Sequence, residues 1–193
     1  SKSSAGNSVA QRPTGNGKDV FVHTADITYP TLDAFTLDFG VNQITLTFSE
    51  DVVLSTLDVT KVIVQQSATG SPAGRTLTSS GTTKAVGANN QQVVIGLNKA
   101  DVDHIKGDPA LAVAKDSTYI FFPVAFVQDG SENEAVATTQ QVTTYQKDNV
   151  GPVLQAFDLN MDSAQITMTF NEVVKASSVV AAEARLQSAA DGS

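Results

Sequence analysis

A chain of 193 residues with 41% hydrophobic side chains can bury a real core, which excludes an intrinsically disordered protein. A formal net charge of −8 repels phosphate and argues against nucleic acid as a partner. No run of about 18 apolar residues is present, so membrane insertion by a helix is not expected, and with no cysteine the fold must rely on packing alone.

Residues 1–8 are polar and do not read as a signal peptide. Leu32, Phe35 and Leu37 suggest a first, kinked strand. Residues 43–48 alternate cleanly, with Ile44, Leu46 and Phe48 on one face and Thr45 and Thr47 on the other, the period-two pattern of a half-buried strand. Residues 59–65 predict a further strand, and residues 67–74 a Gly/Ser/Pro loop. A short strand is expected at 76–78, a flexible hairpin region at 81–90, and a strand at 91–97 with Val93, Ile95 and Leu97 inward. Asn98 can cap one or two helical turns over 99–106, which Gly107 and Pro109 then stop. Residues 118–127 form the most apolar run, a central strand that Pro123 must bend or end. Asp129-Gly130 marks a turn, and residues 142–146 a closing strand. About seven strands and almost no helix predict an all-β fold, a two-sheet sandwich in which each alternating strand has a second layer over its apolar face.

The chain also repeats itself. Residues 26–71 align without a gap on residues 148–193, a spacing of 122. Asp26 falls on Asp148, Pro30 on Pro152, Leu32 on Leu154, Phe35 on Phe157, Ile44 on Ile166, Phe48 on Phe170 and Glu50 on Glu172. Apolar alternation and turn punctuation match together, which marks a repeat architecture. Residues 4–10 weakly echo 130–137. The expected division is therefore the C-terminal part of a preceding repeat over 1–25, a complete repeat over 26–147, and the N-terminal part of a following repeat over 148–193.

The stretch Pro30…Ile44-Thr45-Leu46-Thr47-Phe48-Ser49-Glu50…Ser55-Thr56-Leu57, with the turn Asp129-Gly130-Ser131-Glu132-Asn133, resembles the bacterial-type Ig-like repeats of S-layer and other surface proteins. Tyr29-Pro30 and Gly151-Pro152 stand where that family typically has a double proline. The resemblance implies an Ig-like sandwich in an extracellular or cell-surface setting, in spacers, adhesins and fibre subunits, and no chemistry.

Candidate sites are few. Glu50 and Glu172 recur after the same strand and read as structural carboxylates accepting from the following loop. Asp26 and Asp148 precede the joint prolines and, with Asp101 and Asp103 on the short helix, are the weak candidates for calcium, the one cofactor considered. Tyr29, Pro30, Gly151 and Pro152 are expected at repeat junctions. His23 and His104 are too few for a zinc site, and no G-x-S-x-G nucleophile elbow occurs. Phe121, Phe122, Phe126 and Tyr119 read as core and not as a sugar platform. These features predict a non-enzymatic structural module of a repeat array or filament, partnered by neighbouring repeats or copies of itself. The alternatives are an adhesin or glycan-binding module using loops 70–74 and 81–90, and a non-catalytic accessory domain of a secreted enzyme.

Overall fold

The computed structural model describes residues 24–69, 74–87 and 89–187, together with Gly15 and Val22. Its first strands form where the alternation is strongest. β1 (Leu32–Asp38) and β2 (Gln43–Phe48) pair antiparallel, with a bulge between Leu32 and Ala34 that produces the expected kink. The loop joining them closes with Asn42 in the left-handed region, at φ 53°, a conformation asparagine tolerates better than most residues.

Residues 59–65 form less strand than their pattern predicts. The Asp58 carboxylate accepts from the Thr60 amide at 3.0 Å and the Thr60 hydroxyl at 2.6 Å, and this local competition curls Val59–Lys61 into a 3-10 turn. Only β3 (Ile63–Gln65) remains extended, with Val62 and Val64 buried. β4 (Gly74–Thr76) pairs with β3, slightly ahead of its predicted place. The region expected to be a flexible hairpin contains β5 (Thr83–Val86), which pairs with β6 (Gln92–Gly96). Helix α1 (Lys99–Gly107) is capped as its sequence predicts: the Asn98 side chain accepts from the Asp101 amide at 2.8 Å.

β7 (Tyr119–Phe122) ends at Pro123, which has no N–H to donate to the ladder. The closing strand expected at 142–146 is the shorter β9 (Thr144–Gln146), which runs parallel to β1, and it is preceded by a strand the sequence did not predict, β8 (Thr138–Gln141), which pairs with β7. Between them the chain crosses from one sheet to the other. The Val142 amide donates to Thr118 O and the Thr143 amide to Phe35 O, one in each sheet.

The result is an all-β sandwich. One sheet has the order β5-β6-β2-β1-β9, the other β4-β3-β7-β8. Phe35, Leu37, Ile44, Leu46 and Phe48 from the first sheet meet Val62, Val64, Ile120, Phe122 and Phe126 from the second side in one core.

A third, separate sheet follows: β10 (Leu154–Asn160) and β11 (Gln165–Phe170). It reproduces β1–β2 at a spacing of 122 in every detail of register, including the bulge, now between Leu154 and Ala156, and the positive φ of 53° at Ala164. Its hydrogen bonds recur as well. Thr31 N donates to Ser49 Oγ, and Val153 N to Asn171 Oδ1. Thr56 N donates to Val53 O, and Ser178 N to Lys175 O. What differs is burial. Phe35 is 1% exposed and Phe157 is 55% exposed, because among the described residues no second sheet covers β10 and β11.

Candidate functional site

The chemistry of the described residues gathers at two places, and the repeat relates them. The first is the joint between α1 and the start of the second hairpin. Ile105, fully buried, pins the last turn of the helix, and its neighbour Lys106 reaches across to the joint. Lys106 Nζ lies 2.5 Å from Asp148 Oδ2 and 3.5 Å from Glu172 Oε2, with all three side chains at most 21% exposed. The ammonium also stands 5.6 Å over the Phe39 ring, a cation–π contact. Phe39 meets Tyr145 edge-on at 6.1 Å, and the Tyr145 hydroxyl donates to Ala112 O at 2.8 Å. A groove of 340 Å³ separates these groups from Val150, Pro152 and Val173. The hydrogen bond from Lys106, with that from the Val150 amide, holds the Asp148 carboxyl below its ordinary range.

The Lys106 contact joins residues 42 apart in sequence. Lys106→Ala is expected to remove about 1.5–3 kcal/mol of charged hydrogen bonding at the joint. Hydrogen exchange at the Val150 and Asn171 amides should then accelerate while the β2 and β6 amides stay protected. Unchanged protection at Val150 and Asn171 would mean that the ammonium does not hold the joint.

The second place lies at the other end of the sandwich. Asp26, Glu50 and Asp129 each bring a carboxylate oxygen to a point where all lie within 4.8 Å of one another. Asp26 precedes β1, Glu50 follows β2, and Asp129 belongs to the turn after β7. Asp129 is 5% exposed and organises that turn, accepting from the Ser131 amide and the Asn133 amide at 2.8 Å each and from Asn133 Nδ2 at 2.8 Å. Burial pushes the Asp129 carboxyl up, but these hydrogen bonds outweigh it and hold the group below its usual range. Asn133 Nδ2 also reaches Asp26 O at 3.3 Å, tying the turn to the start of the repeat.

Glu50 and Glu172 were expected to accept backbone amides from their loops, but the Oε1 atom of each is buried with no hydrogen-bond partner. Burial, then the negative charges of Asp26 and Asp129, raise the Glu50 pKa above the ordinary 4.5. The sign follows directly. Between 4.5 and the raised folded value the native state binds more protons than the unfolded chain. The Glu50 contribution is therefore fully present below 4.5 and lost as pH rises through the folded value. Glu50→Gln should flatten this segment of the stability–pH curve, measured by urea unfolding across the acid range in a chelating buffer. A wild-type curve with the same slope as the variant's would refute it.

The other expected site residues are placed as follows. Pro30 is buried and its carbonyl accepts from the Val136 amide at 2.9 Å, while Tyr29 is 56% exposed. Gly151 and Pro152 are exposed beside the Lys106 joint. Asp101 is fully buried and its oxygens are taken by Arg75, Thr78 and Asn98. Asp103 pairs with Lys99 at 2.7 Å on the helix surface. His104 is exposed and His23 lies outside the described residues, as does part of loop 70–74. Phe122 and Phe126 are core, with Tyr119 and Phe121 half-buried. Two participants were not singled out from the sequence, Lys106 and Asp129. The Asp129 turn was visible as part of the family resemblance. Nothing local marks Lys106, because its partners are far along the chain.

No protein-family model and no curated protein matches this sequence. Among solved structures, the chain is similar to domains 1–6 of the surface layer protein SbsC, at 10% identity and a TM-score of 0.42, over 74% of this chain and 18% of that one. It is also similar to the N-terminal part of the bacterial S-layer protein SbsC, at 13% identity and a TM-score of 0.42, over 77% of this chain and 33% of that one. A third match is the S-layer protein rSbsC(31-844), at 11% identity and a TM-score of 0.41. The chain thus spans between about a fifth and a third of the length of these structures.

Proposed function

We propose that this chain is a structural module of an extracellular, cell-surface repeat array, non-enzymatic, in which Ig-like sandwiches are joined end to end at short proline-containing junctions. The observation that carries the reading is the exact recurrence of the β1–β2 hairpin as β10–β11, joined to the first sandwich through Lys106, Asp148 and Glu172. An acid pair that brackets the same hairpin in both units, one acid before its first strand and one after its second, is a property of the unit, and such a property serves folding or joining before it serves catalysis. The boundaries of the complete unit, 26–147, and its flanking parts, 1–25 and 148–193, follow from the same spacing.

The exposed apolar face of β10–β11 supports the array reading. Leu154, Phe157, Leu159, Ile166 and Met168 match side chains that are partly or fully buried in the first unit, so the second hairpin has the makings of a core and lacks its cover. Neighbouring repeats or other copies of the protein are its partners in this reading. Pro152 fixes φ at the joint and, with the Lys106 ion pairs, limits the orientations available to the next unit. Small-angle scattering tests this. A fixed joint gives one elongated distance distribution that broadens on Lys106→Ala. A distribution already that of freely jointed bodies in the unaltered chain would sink the proposal.

A further inference from the structure

The two ends of the sandwich carry complementary charge. At one end the last turn of α1 presents Lys106, which Asp148 and Glu172 of the following hairpin hold at 2.5 and 3.5 Å. At the other end stand Asp26 and Glu50, which occupy the places of Asp148 and Glu172 one repeat earlier. The two acid pairs have the same posture. Asp26 Oδ1 accepts from Thr28 N at 3.0 Å and Asp148 Oδ1 from Val150 N at 2.9 Å, and Asp148 Oδ2 is then the atom that meets the ammonium. Oε1 of Glu50 and Oε1 of Glu172 are both buried without a hydrogen bond, and Glu172 turns Oε2 to the ammonium. Only one pair has its cation. Among the described residues, no lysine or arginine forms an ion pair with Asp26, Glu50 or the nearby Asp51 and Asp129.

We propose that Asp26 and Glu50 form a docking surface for a neighbouring copy of the unit, whose helix-end lysine, the counterpart of Lys106, seats between the two carboxylates. The inference rests on the array reading and names the residues that receive the neighbour. Exposure agrees with it: Asp148, with its lysine in place, has a side chain 21% exposed, whereas Asp26 is open to solvent. Electrostatics agree as well. Asp26, Asp51 and Asp129 surround Glu50 with like charge, and an ammonium shared by two carboxylates relieves that crowding through charge-assisted hydrogen bonds. The rim of the surface differs from the Lys106 joint. Thr28 and Asp51 stand where the joint groove has Val150 and Val173. Docking at Asp26 and Glu50 therefore draws less on apolar contact and more on charge, and it is the more sensitive of the two to salt.

The test keeps the 193-residue chain whole and duplicates residues 26–147 in place, so that the Lys106 of the first copy faces the Asp26 and Glu50 of the second at the native spacing of 122. A carbodiimide converts a carboxylate to an O-acylisourea. A lysine amine in contact with it displaces the urea, which carries off the elements of water, and an amide remains. Peptide mass spectrometry then reads which pairs have joined. In the unaltered chain Lys106 is expected to link to Asp148 or Glu172. In the duplicated chain it should link to Asp26 or Glu50 of the next copy in comparable yield, and added salt should reduce this link more than the native one. The link to Asp148 or Glu172 persists in the duplicated chain and reports that its units have folded. A native link without one to Asp26 or Glu50 overturns the docking surface and leaves the Lys106 joint standing. Links scattered equally over Asp33, Asp51 and Asp129 would also overturn it, because tethering alone gives that result. No link at either junction would sink the joint and this inference together.

Discussion

Asp101→Ala is expected to destabilise the complete sandwich by about 3–5 kcal/mol, because it strands a half-buried guanidinium without its counter-charge. Asp101 is 0% exposed. Its Oδ1 accepts from Arg75 Nε at 2.8 Å and lies 2.7 Å from a terminal Arg75 nitrogen, a two-pronged pair. Its Oδ2 accepts from the Thr78 amide at 2.9 Å, the Thr78 hydroxyl at 3.1 Å and Asn98 Nδ2 at 2.8 Å. One carboxylate thus ties the first turn of α1 to β4 and to the turn that leads into β5. Asp101→Asn keeps the shape and loses the charge, so it should cost less than alanine. Arg75→Met should also be severe, since it leaves the fully buried carboxylate unpaired. Urea unfolding followed by circular dichroism orders the three. A loss of under about 1 kcal/mol for Asp101→Ala, the value of an exposed pair, would show that the network carries no more than a surface ion pair does.

This network also shows where sequence reasoning stops. Asn98, Gly107 and Pro109 mark the helix and its ends from local pattern alone, because capping is an interaction between residues three apart, here Asn98 and the Asp101 amide. The acidic pair Asp101 and Asp103 looked like one candidate calcium cluster on the same short helix. Structure separates the two completely: Asp101 turns inward to Arg75, 26 residues away, and Asp103 outward to Lys99. The helical period places them on different faces, but their partners depend on tertiary contacts that no local pattern encodes.

The same distinction runs through the strands. β2 was legible to the residue because alternation, burial and partner strands agree along Gln43–Phe48. Residues 59–65 alternate less cleanly, and the Asp58 side chain competes for the backbone there, so a turn replaced half of the expected strand. The closing strand was expected to begin at Val142, and the uniformly polar Thr138–Gln141 before it offers no alternation to mark β8. Residues 142–143 are instead a sheet-to-sheet crossing fixed by two carbonyls, Thr118 O and Phe35 O, from segments far apart in sequence. The repeat, by contrast, was legible in full from residue identities, and the two hairpins carry it down to bulge, loop and hydrogen bonds. The acid cluster was half legible. Asp26 and Glu50 were singled out for separate reasons, and only the fold brings Asp129 to both.

Phe122→Ala should cost about 3–5 kcal/mol, a large share of the roughly 5–15 kcal/mol that holds a domain folded. Phe122 is 0% exposed and sits where the two sheets meet. Its ring stacks on Phe126 at 4.3 Å between centroids, with planes 25° apart, and lies 6.4 Å from Phe48 of the opposite sheet. Pro123 is what permits this. By ending β7 directly after Phe122, it lets the chain turn back so that Phe126, four residues on, covers the ring its own strand presents. Truncation to alanine leaves a void that Phe48 and Phe126 cannot both fill, because each is already 1% exposed or less and held by its own backbone. Phe122→Leu keeps most of the volume and should cost far less than alanine, which separates packing from any effect on the turn. Denaturant midpoints of the two variants provide the check. Equal, small losses for both would show that the sheets can close over the cavity and that the three-ring cluster does not set the spacing of the sandwich.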